Sequence, residues 1–149
     1  MSTQRAMQPP ENQPLGFWTV RAGEAIGART RGALRDIGLS QPEWWLLHQV
    51  SLDPEGVDRD ATIEKIGHNS TPEAIVEAID SAIAKGWVQQ TDSQLKSTSL
   101  GSELFERAAA LQQDLQAERM QEISKDDFAT TIRVLQRTID NVGGEAWHW

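Results

Sequence analysis

Between Gly38 and Gly86 the chain is cut by stop and start signals so closely spaced that only short helices fit between them. Gly38 ends one helical stretch, and Ser40 with Glu43 three residues on forms a capping box that opens another over residues 42–51. Trp44, Leu47 and Val50 repeat along it at helical spacing. Residues 53–60 read as a solvated loop by their Pro and Gly, without the acidic spacing of a calcium loop. A short helix is expected over residues 61–66, stopped by Gly67. Ser70-Thr71-Pro72-Glu73 is a helix start with a cap, a first-turn Pro and an N-terminal acid. That helix runs to about residue 85, with Ile75, Ile79 and Ile83 on its expected inner stripe, and Gly86 ends it. Residues 87–90 and 95–99 are two strand-like runs around the turn-like Thr91-Asp92-Ser93-Gln94, so a small hairpin follows.

Longer helices flank this segment. Residues 15–37 carry Leu15, Trp18, Ala22, Ile26, Ala33 and Ile37 at helical spacing, and Arg21, Arg29, Arg31 and Arg35 as a positive face. Gly23 and Gly27 lie four apart on one face, which reads either as a loosely specified helix or as a place where another backbone approaches closely. Residues 100–122 place Leu104, Ala108, Leu111, Leu115 and Met120 on one side. Ser124-Lys125-Asp126-Asp127 opens a last helix with acids in its first turn, followed by Phe128, Ile132, Leu135 and Ile139 and stopped by Gly143-Gly144. Stripes this long exceed what so small a core satisfies, and such helices usually bury them in a dimer. The expected architecture is mainly α with a small β-hairpin wing. It is a winged helix-turn-helix over residues 39–99, with N- and C-terminal dimerisation helices over 15–38 and 100–142. A polar, Pro-rich arm (1–14) and a tail (143–149) holding Trp147 and Trp149 complete it.

Composition excludes several classes. With no Cys there are no disulfides and no thiolate chemistry. His48, His68 and His148 fall on separate elements without a carboxylate at metal-helix spacing, so no metal site is expected. No nucleophile elbow, phosphate loop or dinucleotide fingerprint occurs, so neither an enzyme nor a cofactor is expected. No apolar run suits a membrane span and the N-terminus lacks a signal-peptide core, which makes a cytoplasmic protein the expectation. The net charge of -8 argues mildly against nucleic acid. It is also uneven: residues 41–99 hold four basic and ten acidic groups, net -6, whereas residues 1–40 hold five and three, net +2.

Three segments, in this order and spacing, carry a family resemblance. Gly38-Leu39-Ser40-Gln41-Pro42-Glu43-Trp44-Trp45-Leu46-Leu47 is similar to the opening of the second helix of the MarR family of bacterial transcription regulators. Ala82-Ile83-Ala84-Lys85-Gly86-Trp87-Val88 resembles the end of its recognition helix, and Thr98-Ser99-Leu100-Gly101-Ser102-Glu103-Leu104-Phe105-Glu106 resembles the entry into its dimer helix. The resemblance covers roughly residues 15–142. It implies a homodimer with interlocked terminal helices, residues 71–85 in the major groove and the hairpin in the minor groove. It also implies release of DNA when a small, often aromatic, anion binds. The sequence departs from the pattern at Glu77, where the family usually has Arg, and in a wing that is shorter and has only Lys96 as a cation.

The expected DNA-contacting residues are Asn69, Ser70, Thr71, Glu73, Lys65, Lys85 and Lys96. Glu73 can accept a hydrogen bond from cytosine, or simply complement the helix dipole. Trp18, Arg21, Trp45 and His48 are the expected effector-binding group, with core or dimer packing as the other reading of the tryptophans. Two functions stand: a MarR-like, DNA-binding homodimeric regulator answering to a small aromatic or anionic effector, or a winged-helix dimer without sequence-specific DNA binding that serves as a ligand- or protein-interaction module.

Overall fold

The computed structural model describes residues 6–148. After a 3-10 turn (Pro10–Asn12), the elements are α1 (Leu15–Asp36), α2 (Gln41–Ser51), β1 (Val57–Asp58), α3 (Arg59–Gly67), α4 (Pro72–Ala84), β2 (Val88–Thr91), β3 (Gln94–Ser97), α5 (Ser99–Arg119) and α6 (Lys125–Asn141). Two compact units result, one ending at Gln112 and the other beginning at Gln113.

In the first unit α2, α3 and α4 pack on one another, and the sheet closes against α2 and α4. Leu34, Leu46, Leu47, Ile66, Ile75, Ile79 and Leu95 are fully buried at the centre. The capping box forms as its sequence requires. Ser40 Oγ accepts from the Glu43 amide at 3.2 Å, and Glu43 Oε1 accepts from the Ser40 amide at 3.0 Å. Three helices end in the Schellman geometry. At α4 the Gly86 amide donates to Ile83 and the Trp87 amide to Ala82, with Gly86 at φ +78°. Gly38 and Gly143 close α1 and α6 in the same way.

Four expectations are corrected. First, residues 53–60 are not only a loop. Val57 and Asp58 form a strand that pairs with Leu95 and Gln94, giving an antiparallel sheet of order β1-β3-β2. Asp58 then caps α3, which begins two residues earlier than expected, by accepting from the Ala61 amide at 2.9 Å. Second, Ile83 does not lie on the inner face of α4. Residues four apart drift about 40° around a helix of 3.6 residues per turn, so by Ile83 the stripe has rotated to 37% exposure, and Ala78 and Ala82 fill the buried face. Third, the core reading of Trp18 does not hold within the single chain, where it is 42% exposed; of the apolar residues along α1 only Ala33 and Leu34, at its C-terminal end, are buried, and the rest of the stripe is exposed, as a dimer contact would require. Fourth, Trp44, in line with Leu47 and Val50 on the apolar spacing of α2, is only half-buried, as is Trp87. Of the two readings of Gly23 and Gly27, close approach by another backbone is not used among the described residues of this chain, where the Arg31 side chain alone lies near Gly27.

The hairpin turns through Asp92 and Ser93, between the paired residues Thr91 and Gln94, with Asp92 in the left-handed region at φ 54°. In the second unit α6 is capped by Ser124, which accepts from the Asp127 amide at 3.0 Å. None of its residues is buried: Phe128, Ile132, Val134 and Ile139 are all exposed. Trp149 lies outside the described residues.

Candidate nucleic-acid interface

The second helix of a helix-turn-helix can read DNA only with the face it does not bury. For α4 that outer face is Glu73, Glu77 and Asp80, all exposed, and the helix itself contains no Lys or Arg. The three carboxylates therefore point where a phosphate-lined groove would lie.

Hydrogen-bonding groups gather at the start of α4. Asn69, Ser70 and Thr71 are all exposed. Thr71 Oγ1 accepts from the Ala74 amide at 3.1 Å as the N-cap, which leaves its hydroxyl proton to donate outward. Glu73 stands in the first turn, where its charge complements the helix dipole.

The cations expected around α4 are differently employed. Lys85 turns back into the protein. Its Nζ lies 2.9 Å from Glu43 Oε2 and 4.7 Å from the centre of the Trp87 ring. Glu43 is only 5% exposed. Burial pushes its carboxyl up, but hydrogen bonds from Lys85, Ser40 and Ser81 outweigh that and hold it below the ordinary glutamate value. Lys65 is half-buried on α3, and Lys96 is exposed on the wing. Arg59 Nη1 lies 3.7 Å from Asp60.

The four residues expected to bind an effector do not converge. Trp18 donates from its indole to Gln13 at 3.3 Å and lines a small cleft with Met7, Pro10 and Gln13. Arg21 lies 5.0 Å over the Phe17 ring and 3.7 Å from Glu24. His48 joins an aromatic cluster in which Trp44 stacks on Phe105, with centroids 5.7 Å apart and planes 7° from parallel. Burial, and then the charge of Lys65, hold its imidazole below the ordinary value. Trp45 alone lines a larger cleft of about 600 Å³, and its cationic neighbours there are Arg31 and Arg35 rather than Arg21. Helical spacing brings residues to one face of one helix; it does not say which faces of two helices meet.

Arg31 and Arg35 belong to the positive face expected on the first helix, but that face does not single them out from Arg21 and Arg29. The available signal was their i, i+4 spacing one turn before the Gly38 stop. Among the described residues no group of His, Asp and Glu could hold a metal ion, and no helix is long and apolar enough to cross a membrane.

The sequence matches no protein-family model and no curated protein. Solved structures do match. The Mycobacterium tuberculosis MarR-family protein Rv2887 in complex with DNA is 23% identical, with TM-score 0.66, over 89% of this chain and 100% of that one. A MarR-family transcriptional regulator from Silicibacter pomeroyi is 18% identical, with TM-score 0.71, over 86% and 92%. CouR from Rhodococcus jostii RHA1, bound to p-coumaroyl-CoA, is 22% identical, with TM-score 0.70, over 87% and 94%. The fold, a mainly helical winged helix with a three-stranded sheet, is that of the MarR-family regulators.

Proposed function

We propose that this chain, with its MarR-family fold, is a DNA-binding transcription regulator that works in the cytoplasm as a homodimer. The observation that carries the reading is the winged helix-turn-helix itself: α4 has one face packed on α2 and α3 and the other free, beside a hairpin anchored at its base. Asn69, Ser70 and Thr71 would meet the duplex first, Lys65 and Lys96 would meet phosphates, and Lys85 would do so only by leaving Glu43. CouR binds an aromatic acyl thioester carrying anionic phosphates. By analogy, a small aromatic or anionic effector would bias the spacing of the two recognition helices. Trp18, Arg21, Trp45 and His48 act in this reading through separate surfaces rather than one pocket.

The dimer rests on unpartnered apolar surface. Phe17, Trp18, Val20 and Ile26 on α1, and Phe128, Ile132 and Ile139 on α6, are exposed in the single chain. Sedimentation velocity at micromolar concentration is expected to give a species of twice the chain mass; a folded monomer contradicts the dimer.

One observation favours a second reading. The row Glu73, Glu77, Asp80 repels phosphate, and a winged-helix dimer without sequence-specific DNA binding would tolerate it. Binding of random-sequence duplex across a salt series separates the two. A DNA reader shows affinity that falls as salt rises. No binding even at low salt leaves the ligand- or protein-interaction module. On the first reading, Glu77→Arg tightens nonspecific binding about thirtyfold, because reversing the charge removes one repulsion and adds one attraction to phosphate, each about 1 kcal/mol in high dielectric. An unchanged affinity would mean α4 does not face the groove.

A further inference from the structure

We propose that the cleft between the C-terminal end of α1 and the turn before α4 is a phosphate grip, in which Arg31 and Arg35 hold the DNA backbone beside the first turn of α4. The inference rests on the DNA-binding reading and says where the affinity comes from.

Acids outnumber bases by 22 to 14 in this chain, yet no carboxylate lines this cleft. It has two guanidinium groups on consecutive turns of α1, both exposed and neither in an ion pair among the described residues. Lys85, Arg59 and Arg21 each have a carboxylate within 4 Å, from Glu43, Asp60 and Glu24, and Lys65 and Lys96 are single cations on separate elements. A free guanidinium is the side chain best matched to phosphate, because its planar fork donates two parallel hydrogen bonds.

Shape and place agree with that chemistry. The cleft, about 600 Å³, exceeds the size of one phosphate and accommodates the sugars on either side. Gln41, Asn69 and Ser70 add neutral hydrogen-bonding groups around it, and the Trp45 indole supplies an apolar wall for a deoxyribose. Asn69 and Ser70 immediately precede the Thr71 cap of α4, so a strand seated here runs past the start of the reading helix. The charged groups on the outer face of α4 are all carboxylates, and phosphate attraction must therefore come from a neighbouring element. The occupant is backbone phosphate rather than a free anion, because the cleft abuts the helix that reads bases.

The test is the salt dependence of binding to random-sequence duplex for the full chain and for Arg31→Gln, Arg35→Gln and the double variant. Each neutralised phosphate contributes about 0.9 to the slope of log affinity against log salt. Each single substitution is expected to lower the slope by about 0.9, and the pair by about 1.8, equally for every sequence. Arg31→Lys keeps the slope, and Arg107→Gln on α5 leaves it unchanged. If the unsubstituted protein binds and the cleft variants keep its slope, the grip is overturned while the DNA reading stands. If the unsubstituted protein does not bind at low salt, both fall. If inorganic phosphate changes Trp45 fluorescence but the DNA slope ignores both arginines, the cleft belongs to a free anion and the inference is overturned.

Discussion

Gly101→Ala is expected to destabilise the protein by about 2 kcal/mol, although it replaces a glycine inside a helix. Two effects oppose each other. Alanine is the better helix former by about 1 kcal/mol. Against that, a Cβ at Gly101 would stand 2.8 Å from the Trp87 carbonyl carbon and 3.1 Å from its Cα. Backbone cannot swing aside as a side chain can, so the overpacking sits at the upper end of its usual range, about 3 kcal/mol, and wins. The approach is enforced by Thr98. Its amide donates to the Trp87 carbonyl at 3.0 Å, its hydroxyl donates to the Gly86 carbonyl at 2.6 Å and accepts from the Gly101 amide at 3.0 Å. Urea unfolding measures the difference. An alanine variant as stable as the parent would mean that β2 and α5 part without penalty.

Glu43→Ala is expected to cost a similar amount, about 2 kcal/mol. Breaking a buried ion pair usually costs 3–5 kcal/mol. Here Lys85 is 45% exposed and returns to water, which discounts the figure, while the lost capping box adds about 1 kcal/mol. Because Glu43 also accepts from Ser81 Oγ at 3.1 Å, the substitution loosens the last turn of α4 from α2. The pH dependence carries the diagnosis. A carboxyl held below its ordinary value stabilises the fold above that value, 4.5, and loses the stabilisation as pH falls through the lower folded one. Unfolding midpoints between about pH 7 and pH 3 should therefore fall less in Glu43→Ala than in the parent. Parallel curves would remove Glu43 from the acid response.

These two residues mark what the sequence makes legible. Ser40 and Glu43 announce a capping box, and it forms; Thr98 and Gly101, read as a family-like spacing, are a hydrogen-bonded junction. Helix ends at Gly38, Gly86 and Gly143 were readable because only glycine enters the left-handed region at little cost. A two-residue strand such as β1 has no period to detect. The outward turn of Ile83 follows from helical drift, which a four-residue repeat hides. The site was less legible because it depends on tertiary choices. Glu43 claims Lys85 from 42 residues away, and the arginines beside Trp45 come from α1.

The pairing of β1 with β3 has a consequence for the wing. The Arg59 amide donates to the Ser93 carbonyl at 2.8 Å, tying the hairpin tip to the first residue of α3. Val57 and Leu95 pair below it. Many binding loops must be immobilised when they meet a ligand, at roughly 0.5–1.5 kcal/mol per ordered side chain. This hairpin is held at both its base and its tip before any partner arrives. On the proposed reading, a duplex would meet it as a preorganised body with the helix-turn-helix, and little of the contact energy would be lost to ordering.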